Sequence, residues 1–392
     1  MNILILRSWT PLKYTGTFSN SSKIGLGGTE IHMLRHAKFI NDLGHKVTIA
    51  GISEFDFNEN NILIKGSKSK KDLQVYLKEN FDQFDYIFIN IIDDLNIIKS
   101  LMPHSKIIEV CQNGPHFYND KFIDLYAFVG YGQFAFYSVK FKKYRNKFML
   151  LPNVSALCEF ANEVENINEE DQIIWVGSLN KQGLRRWGQA MSKILRLYPN
   201  HIWKLCTPSY NIPVNSELPL VLSKLKLPQE RIKIINLNSQ ELAKEIKKSK
   251  IVLTSLGGED GPSAYLDGHA LGVTVLSSDD IIGKYSNPEG TGLRCTTKEE
   301  CFIAINYLLE NRKVRIQLGE NGKKWYKNNF HSSIQKHFLE EIIQYLNITS
   351  GHSFPIKTSI QSDRKFSLRF YFDRLSIKLL DLKSSINSIL KD

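Results

Sequence analysis

Residues 251–276 read Ile251-Val252-Leu253-Thr254, a Ser255-Leu256-Gly257-Gly258 loop, Glu259-Asp260-Gly261-Pro262-Ser263-Ala264-Tyr265-Leu266-Asp267, Gly268-His269-Ala270-Leu271-Gly272 and Val273-Thr274-Val275-Leu276. The order is buried strand, Gly-rich turn, helix and second buried strand, a βαβ unit with a parallel pair. In open α/β sheets, ligands bind at the carboxyl ends of strands and against helix N-termini. Pro262 suits the first helical position, where a missing N–H costs nothing. The amides of Ser263, Ala264 and Tyr265 are then left to face an anion. Two carboxylates, Glu259 and Asp267, flank that position and would repel an anion unless they contact its hydroxyls. The combination points to a nucleotide-sugar, with phosphate on the amides and sugar and ribose hydroxyls on the acids. The plainer alternative makes Glu259 or Asp260 a helix cap and Asp267 a solvated helix residue.

The same alternation extends in both directions. Residues 2–6, 46–51, 86–90, 106–110, 126–129 and 147–151 are short β-rich runs. The three-residue spacing of Ile31, Leu34, Ala37, Ile40 and Leu43 predicts an amphipathic helix over 28–43, with further helices over 70–81 and 131–142. A second series has strands at 173–176 and near 201–206, 232–235, 251–254 and 273–276. Its helices lie near 183–197, 239–248, 262–271, 297–310 and 312–328. Two doubly wound, mostly parallel α/β sheets follow from this pattern. Residues 154–170 carry Glu159, Glu163, Glu165, Glu169 and Glu170 with few large apolar side chains, and read as a linker. The expected organisation is a first domain over 1–154, a linker over 155–170, a second domain over 171–346 and a basic extension over 350–392.

A chain of 392 residues, 42% hydrophobic and 23% charged, is long enough for two domains with real cores. Five scattered cysteines form no CxxC or Cys/His cluster, which argues for a reducing compartment and against structural zinc. The N-terminus opens on an apolar strand without the pattern of a secretory leader. No run approaches the ~18 apolar residues of a membrane span. A cytoplasmic protein, or one peripheral on the inner face of a membrane, is expected. The net charge of +11 suits an anionic membrane or a diphosphate ligand; no nucleic-acid-binding motif accompanies it.

Glu259-x7-Asp267 resembles the Glu-x7-Glu motif of retaining glycosyltransferases of the family 4 type, with Asp in the second place. Gly27-Gly28-Thr29-Glu30, followed by a helix and Gly44-His45-Lys46-Val47-Thr48, is similar to that family's Gly-Gly-x-Glu and Gly-His-x-Val-Thr segments. Leu151-Pro152-Asn153-Val154 resembles its Pro-Asn-Gly, with Val154 in place of Gly. Val176-Gly177-Ser178-Leu179-Asn180-Lys181-Gln182-Gly183 looks like its Gly-Arg…Lys-Gly diphosphate loop. Ser178 stands there in the Arg slot and Gln182 in the Lys slot, with Lys181, Arg185 and Arg186 near enough to substitute. Asn287–Leu293 and Leu308–Gly322 match the family's closing helices and read as structural.

The resemblance runs from residue 1 to about 346. It implies the GT-B architecture, two Rossmann-like domains facing across a cleft, and transfer of sugar from a nucleoside-diphosphate donor, UDP- or GDP-linked, with retention. The implied acceptor is a glycan or lipid-linked glycan in surface polysaccharide or lipopolysaccharide synthesis. No metal or other cofactor is implied.

In that frame Glu259 contacts the transferred sugar and Asp267 the ribose. Gly177, Lys181, Arg185, Gly261, Ser263 and Ala264 hold the donor, and Gly27 and Gly28 cradle phosphate or acceptor. His116, in Cys111-Gln112-Asn113-Gly114-Pro115-His116 after the 106–110 strand, would touch donor sugar or orient acceptor; a structural loop histidine is the alternative. An epimerase, a phosphorylase or a non-catalytic binding protein on the same fold are the other readings. The extension interleaves Arg364, Lys365, Arg369, Arg374, Lys378 and Lys383 with Phe366, Phe370, Tyr371 and Phe372, a composition suited to an anionic membrane or to docking on the protein's own body.

Overall fold

The computed structural model describes residues 1–11, 28–52, 56–59, 61–90, 95–112, 114–177, 181–206, 227–254, 263–279, 281–330 and 332–349. By its contacts the chain divides into two units, Met1–Ile342 and Ile343–Asp392. The first holds two sheets. The second is described only through residue 349, so the basic and aromatic residues of 350–392 lie outside the described residues.

The first sheet has the order β3-β4-β2-β1-β5-β6-β7-β8. Its strands are β1 (Asn2–Pro11), β2 (Lys46–Ile52), β3 (Phe57–Glu59), β4 (Ile62–Ser67), β5 (Tyr86–Ile89), β6 (Lys106–Cys111), β7 (Leu125–Phe128) and β8 (Phe148–Leu150). Every pairing is parallel except β3 with β4. Sheets covered on both faces need unbroken apolar runs, and β5 and β7 are buried at all four positions.

The β3–β4 hairpin, absent from the expected strands, adds an edge. Asn61 turns it at φ 64, a backbone state that asparagine tolerates. The helix Gly28–Asp42 forms where the spacing predicts it, burying Leu34, Ala37 and Ile40. His32, Met33, His36 and Phe39 are buried as well, so the covered arc is wider than the predicted stripe.

The second sheet is wholly parallel, in the order β11-β10-β9-β12-β13-β14. Its strands are β9 (Gln172–Val176), β10 (Ile202–Cys206), β11 (Ile232–Ile235), β12 (Ile251–Leu253), β13 (Val275–Ser278) and β14 (Gly292–Cys295). Residues 287–293, expected among closing helices, instead lead into β14, because the turn at Asn287–Thr291 delivers Gly292 beside Val275 of β13. Capping boxes at Asn238/Glu241 and Thr297/Glu300 start the helices Ser239–Lys248 and Lys298–Glu310, satisfying backbone donors that the first helical turn leaves open.

The acidic segment after β8 is packed. Val154, Leu157 and Val164 are buried, and Leu157 and Val164 join Ile174, Val252, Tyr265 and Val275 in one apolar cluster.

Trp175, Trp187 and Trp203 fill the other face of the second sheet. Trp187 also fixes the end of β12: its indole N–H donates to the Thr254 carbonyl at 2.7 Å. Thr254 N donates in turn to Leu276 O of β13 at 3.1 Å. The strand end from which the 255–262 segment departs is thus held from two sides. Trp187→Phe should cost about 1–3 kcal/mol through the orphaned carbonyl, and Trp187→Ala about 3–5 kcal/mol through the added cavity. Denaturant melts read both; unchanged stability in Trp187→Phe would show that the hydrogen bond contributes nothing.

Candidate functional site

In each sheet the strand order reverses direction at one place, between β1 and β5 in the first and between β9 and β12 in the second. Connections on the two sides of such a point leave in opposite directions and open a crevice at the carboxyl ends of the strands. β9 ends at Val176, and Gly177 follows with φ +149, a state that favours glycine. The helix Lys181–Leu197 begins after it. β12 ends at Leu253, and the helix Ser263–Ala270 begins after the 255–262 segment. Gly177 and the helix bearing Asp267 therefore flank one switch point.

The second helix packs directly on the sheet through Gly268, where a Cβ would stand 2.5 Å from Val275 Cγ2 and 3.4 Å from Val252 Cβ. That approach sets Asp267 beside the segment joining the sheets. Asp267 is 7% exposed and accepts a 2.5 Å hydrogen bond at Oδ1 from the Ser155 hydroxyl. Asp267 Oδ2 has no hydrogen-bond partner among the described residues. Burial raises the Asp267 pKa to about 7 against the opposing pull of Ser155 and Arg35.

Ser155 is itself tied on three sides. Its hydroxyl accepts from Leu157 N at 3.0 Å, and its own N–H donates to Tyr326 Oη at 3.0 Å. Arg35, on the first-sheet helix, pairs with Glu159 at 3.1 Å. Burial holds His32 well below the ordinary imidazole range and lowers His36 to about 4, so both are neutral beside the Arg35 cation.

His116 lies beyond β6. Gln112 bridges Gly114, whose φ of +92 only glycine adopts readily, and the chain turns back on its own strand. His116 N donates to Glu109 Oε1 at 3.0 Å, and His116 Nδ1 lies 2.6 Å from the same oxygen. The Tyr118 ring meets the imidazole edge-on at 5.7 Å. Burial raises the Glu109 pKa, and the bonds from His116 oppose that rise.

Glu259, Gly261 and Gly27 lie outside the described residues. Gly28 is the first residue of its helix, Ser263 opens the helix carrying Asp267, and Ala264 is buried one position on. Lys181 and Arg185 lie in the first turns of their helix, with side chains outside the described residues. The structure brings Asp267 together with Ser155, Tyr326 and Arg35, none of which the motif reading had singled out. The serine follows the Pro152-Asn153-Val154 turn, which was the one local signal for it. Glu109 had no signal beyond being an acid inside an apolar strand.

A polar depression of about 230 Å³ is lined by Glu169, Lys247, Lys250, Thr274, Arg312 and Arg315. Ser249, Lys250, Val273 and Thr274, also in its wall, precede β12 and β13, so it sits at the edge opposite the carboxyl ends. Among the described residues no group of three or more His, Cys, Asp or Glu is arranged to hold a metal.

The buried acid gives a signed pH dependence. Asp267 binds its proton more tightly folded (about 7) than at the ordinary 3.8, so its contribution to stability is full at low pH and is lost as pH rises through about 7. Asp267→Asn, which keeps an acceptor for Ser155, should escape that loss. Its stability relative to the parent should grow by up to about 4 kcal/mol between about pH 4 and pH 7 or just above. Parallel stability–pH curves for the two proteins would show that Asp267 carries no such penalty.

No protein-family model matches the chain, and no curated protein sequence matches it. Solved structures do. A glycosyltransferase from Rickettsia africae ESF-5 shares 14% identity over 88% of this chain and 98% of that one, with a TM-score of 0.64. The sucrose-phosphate synthase of Thermosynechococcus elongatus shares 14% over 89% and 99%, with a TM-score of 0.67. Anabaena HepE, solved with UDP and glucose, shares 14% over 87% and 99%, with a TM-score of 0.66. What is shared at such identity is the fold, and the two parallel-sheet bodies of this chain are those of the GT-B architecture.

Proposed function

We propose that the protein is a glycosyltransferase that takes a sugar from a nucleoside diphosphate and transfers it with retention of configuration. The observation that carries this reading is the β9/β12 switch point, flanked by Gly177 and by the helix bearing Asp267, on a GT-B scaffold. HepE has been solved with UDP and with UDP-glucose, and a similar trehalose-phosphate synthase is UDP-forming, which makes a UDP-sugar the first donor to test and a GDP-sugar the second.

Asp267 takes a ribose hydroxyl on Oδ2 while Oδ1 keeps Ser155. The amides of Ser263 and Ala264, the Gly177 turn and the cations Lys181 and Arg185 receive the diphosphate, since positive charge and helix N-termini both stabilise a phosphate leaving group. Glu259 orients the transferred sugar, with Gly261 allowing close backbone approach and His116 contacting sugar or acceptor. Gly27 and Gly28 line the acceptor side. The attacking hydroxyl of a glycan or lipid-linked glycan approaches on the face the diphosphate leaves, and its proton passes to the departing phosphate oxygen. The donor is held by protein groups alone, without metal or cofactor. The basic segment 350–392 brings the enzyme to an anionic membrane where surface polysaccharide or lipopolysaccharide is assembled.

A panel of UDP- and GDP-sugars tested for thermal protection should single out one donor, since a ligand bound by the folded state alone raises its stability. The anomeric configuration of the product, read by NMR, then decides retention, and formation of a free sugar-nucleotide isomer would favour an epimerase. Asp267→Ala should weaken nucleotide binding by about 1.5–3 kcal/mol. Glu259→Gln should lower kcat while leaving the melting curve in place. Unchanged calorimetric affinity in the first variant, or normal turnover in the second, would remove that residue from the site. Truncation after residue 350 should release the protein from anionic vesicles in a salt-dependent way; vesicle binding equal to that of the full chain would end the membrane assignment.

A further inference from the structure

Glu109 sits where a parallel sheet ordinarily places valine or isoleucine. It lies on β6, fully buried, between Ile108 and Val110, with Ile89 of β5 and Tyr126 of β7 as register neighbours. A carboxylate taken out of water in such a place destabilises the fold unless it is paired and hydrogen-bonded. Every hydrogen bond its carboxylate receives among the described residues comes from one residue. His116 N reaches Oε1 at 3.0 Å and Oε2 at 3.3 Å, and His116 Nδ1 reaches Oε1 at 2.6 Å. The chain arranges this return with the Gln112–Gly114 bridge and a left-handed glycine. Packing alone would be served better by an apolar side chain, so the result of the arrangement is a fixed imidazole at the carboxyl end of β6.

We propose that Glu109 is a positioning residue for His116: its carboxylate keeps the proton on Nδ1 and thereby fixes the ring's tautomer and orientation at the edge of the site. A carboxylate can only accept, so the nitrogen facing it must carry the proton, and in the neutral ring Nε2 is then the acceptor atom. The assignment rests on the reading above for its functional consequence, because that reading puts His116 against the sugar or the acceptor hydroxyl.

Leucine at 109 suits the apolar strand but presents no acceptor, so nothing there holds the proton on Nδ1; glutamine would not serve, since its carbonyl at the Oε1 position could still accept from both His116 donors. Long-range proton–nitrogen spectra of histidine-labelled protein, assigned with His116→Ala, report the tautomer without any substrate. Wild type should show Nδ1–H, Glu109→Leu should lose that preference and move toward Nε2–H, and Glu109→Asp, which keeps the charge, should retain Nδ1–H. An Nε2–H ring in wild type, or an unchanged tautomer in Glu109→Leu, overturns the proposal whether or not a donor has been found.

With the donor in hand, Glu109→Leu should lose about 100-fold in kcat without a fall in melting temperature, with donor KM within about twofold. Glu109→Asp should recover part of that loss. Full kcat in Glu109→Leu despite a changed tautomer also overturns it. His116→Ala then tells which idea failed: an active variant removes His116 from the site, and an inactive one removes Glu109 from its role.

Discussion

The hydroxyl of Ser155 is the point at which the helix after β12 meets the segment that joins the two sheets. It donates to Asp267 on the helix after β12, accepts from Leu157 in its own segment, and its backbone N–H donates to Tyr326. Three parts of the chain are therefore tied together by one small residue whose hydroxyl and backbone N–H are both committed. The constraint is one of satisfaction: Ser155 is fully buried, and buried polar groups destabilise a fold unless paired. Displacing the segment would leave Asp267 and the Ser155 amide without these partners together, so the helix after β12 and the connection between the sheets are coupled.

The two buried carboxylates illustrate how hydrogen bonding divides similar chemistry. Asp267 receives one hydroxyl bond, and burial dominates, raising it to about 7. Glu109 receives a ring and a backbone N–H, which oppose the rise that burial imposes. In the first case one oxygen of the carboxylate is hydrogen-bonded; in the second both oxygens receive bonds from His116. Position in the fold accounts for the difference. Asp267 lies on a helix face that meets a connecting segment, whereas Glu109 lies within a strand whose own loop folds back over it.

Most of the scaffold was legible in the chain because both sheets are covered on two faces. Such strands must be continuous apolar runs, and Tyr86–Ile89 and Ile251–Leu253 announce themselves by that rule, whereas 106–110 is interrupted by Glu109 and 232–235, at a sheet edge, by the exposed Lys233. Helices with capping boxes, as at Asn238 and Thr297, were equally clear in type and extent. The hairpin at 57–67 was not, since it is an edge whose turn depends on a left-handed asparagine rather than on a run of apolar residues. The helix Gly28–Asp42 was placed by its three-residue spacing, yet periodicity gave no sign that His32 and His36 would also be buried. A second covered face reflects what packs there from elsewhere in the chain: Gln335, for example, lies 3.0 Å from His36.

By itself the sequence determined the two doubly wound sheets, the order of their elements and the place of the acidic motif after β12, because these follow from local apolar pattern and turn chemistry. Tertiary structure alone decided which distant residues complete the site. Ser155 and Asp267 are 112 positions apart, and Ser155 and Tyr326 are 171 apart. No local pattern encodes such pairings, which exist only once two sheets have been closed against one connecting segment. Even Glu109 and His116, only 7 residues apart, meet because a left-handed glycine reverses the chain over its own strand. Their hydrogen bonds are written in backbone geometry, which residue types constrain but do not spell out.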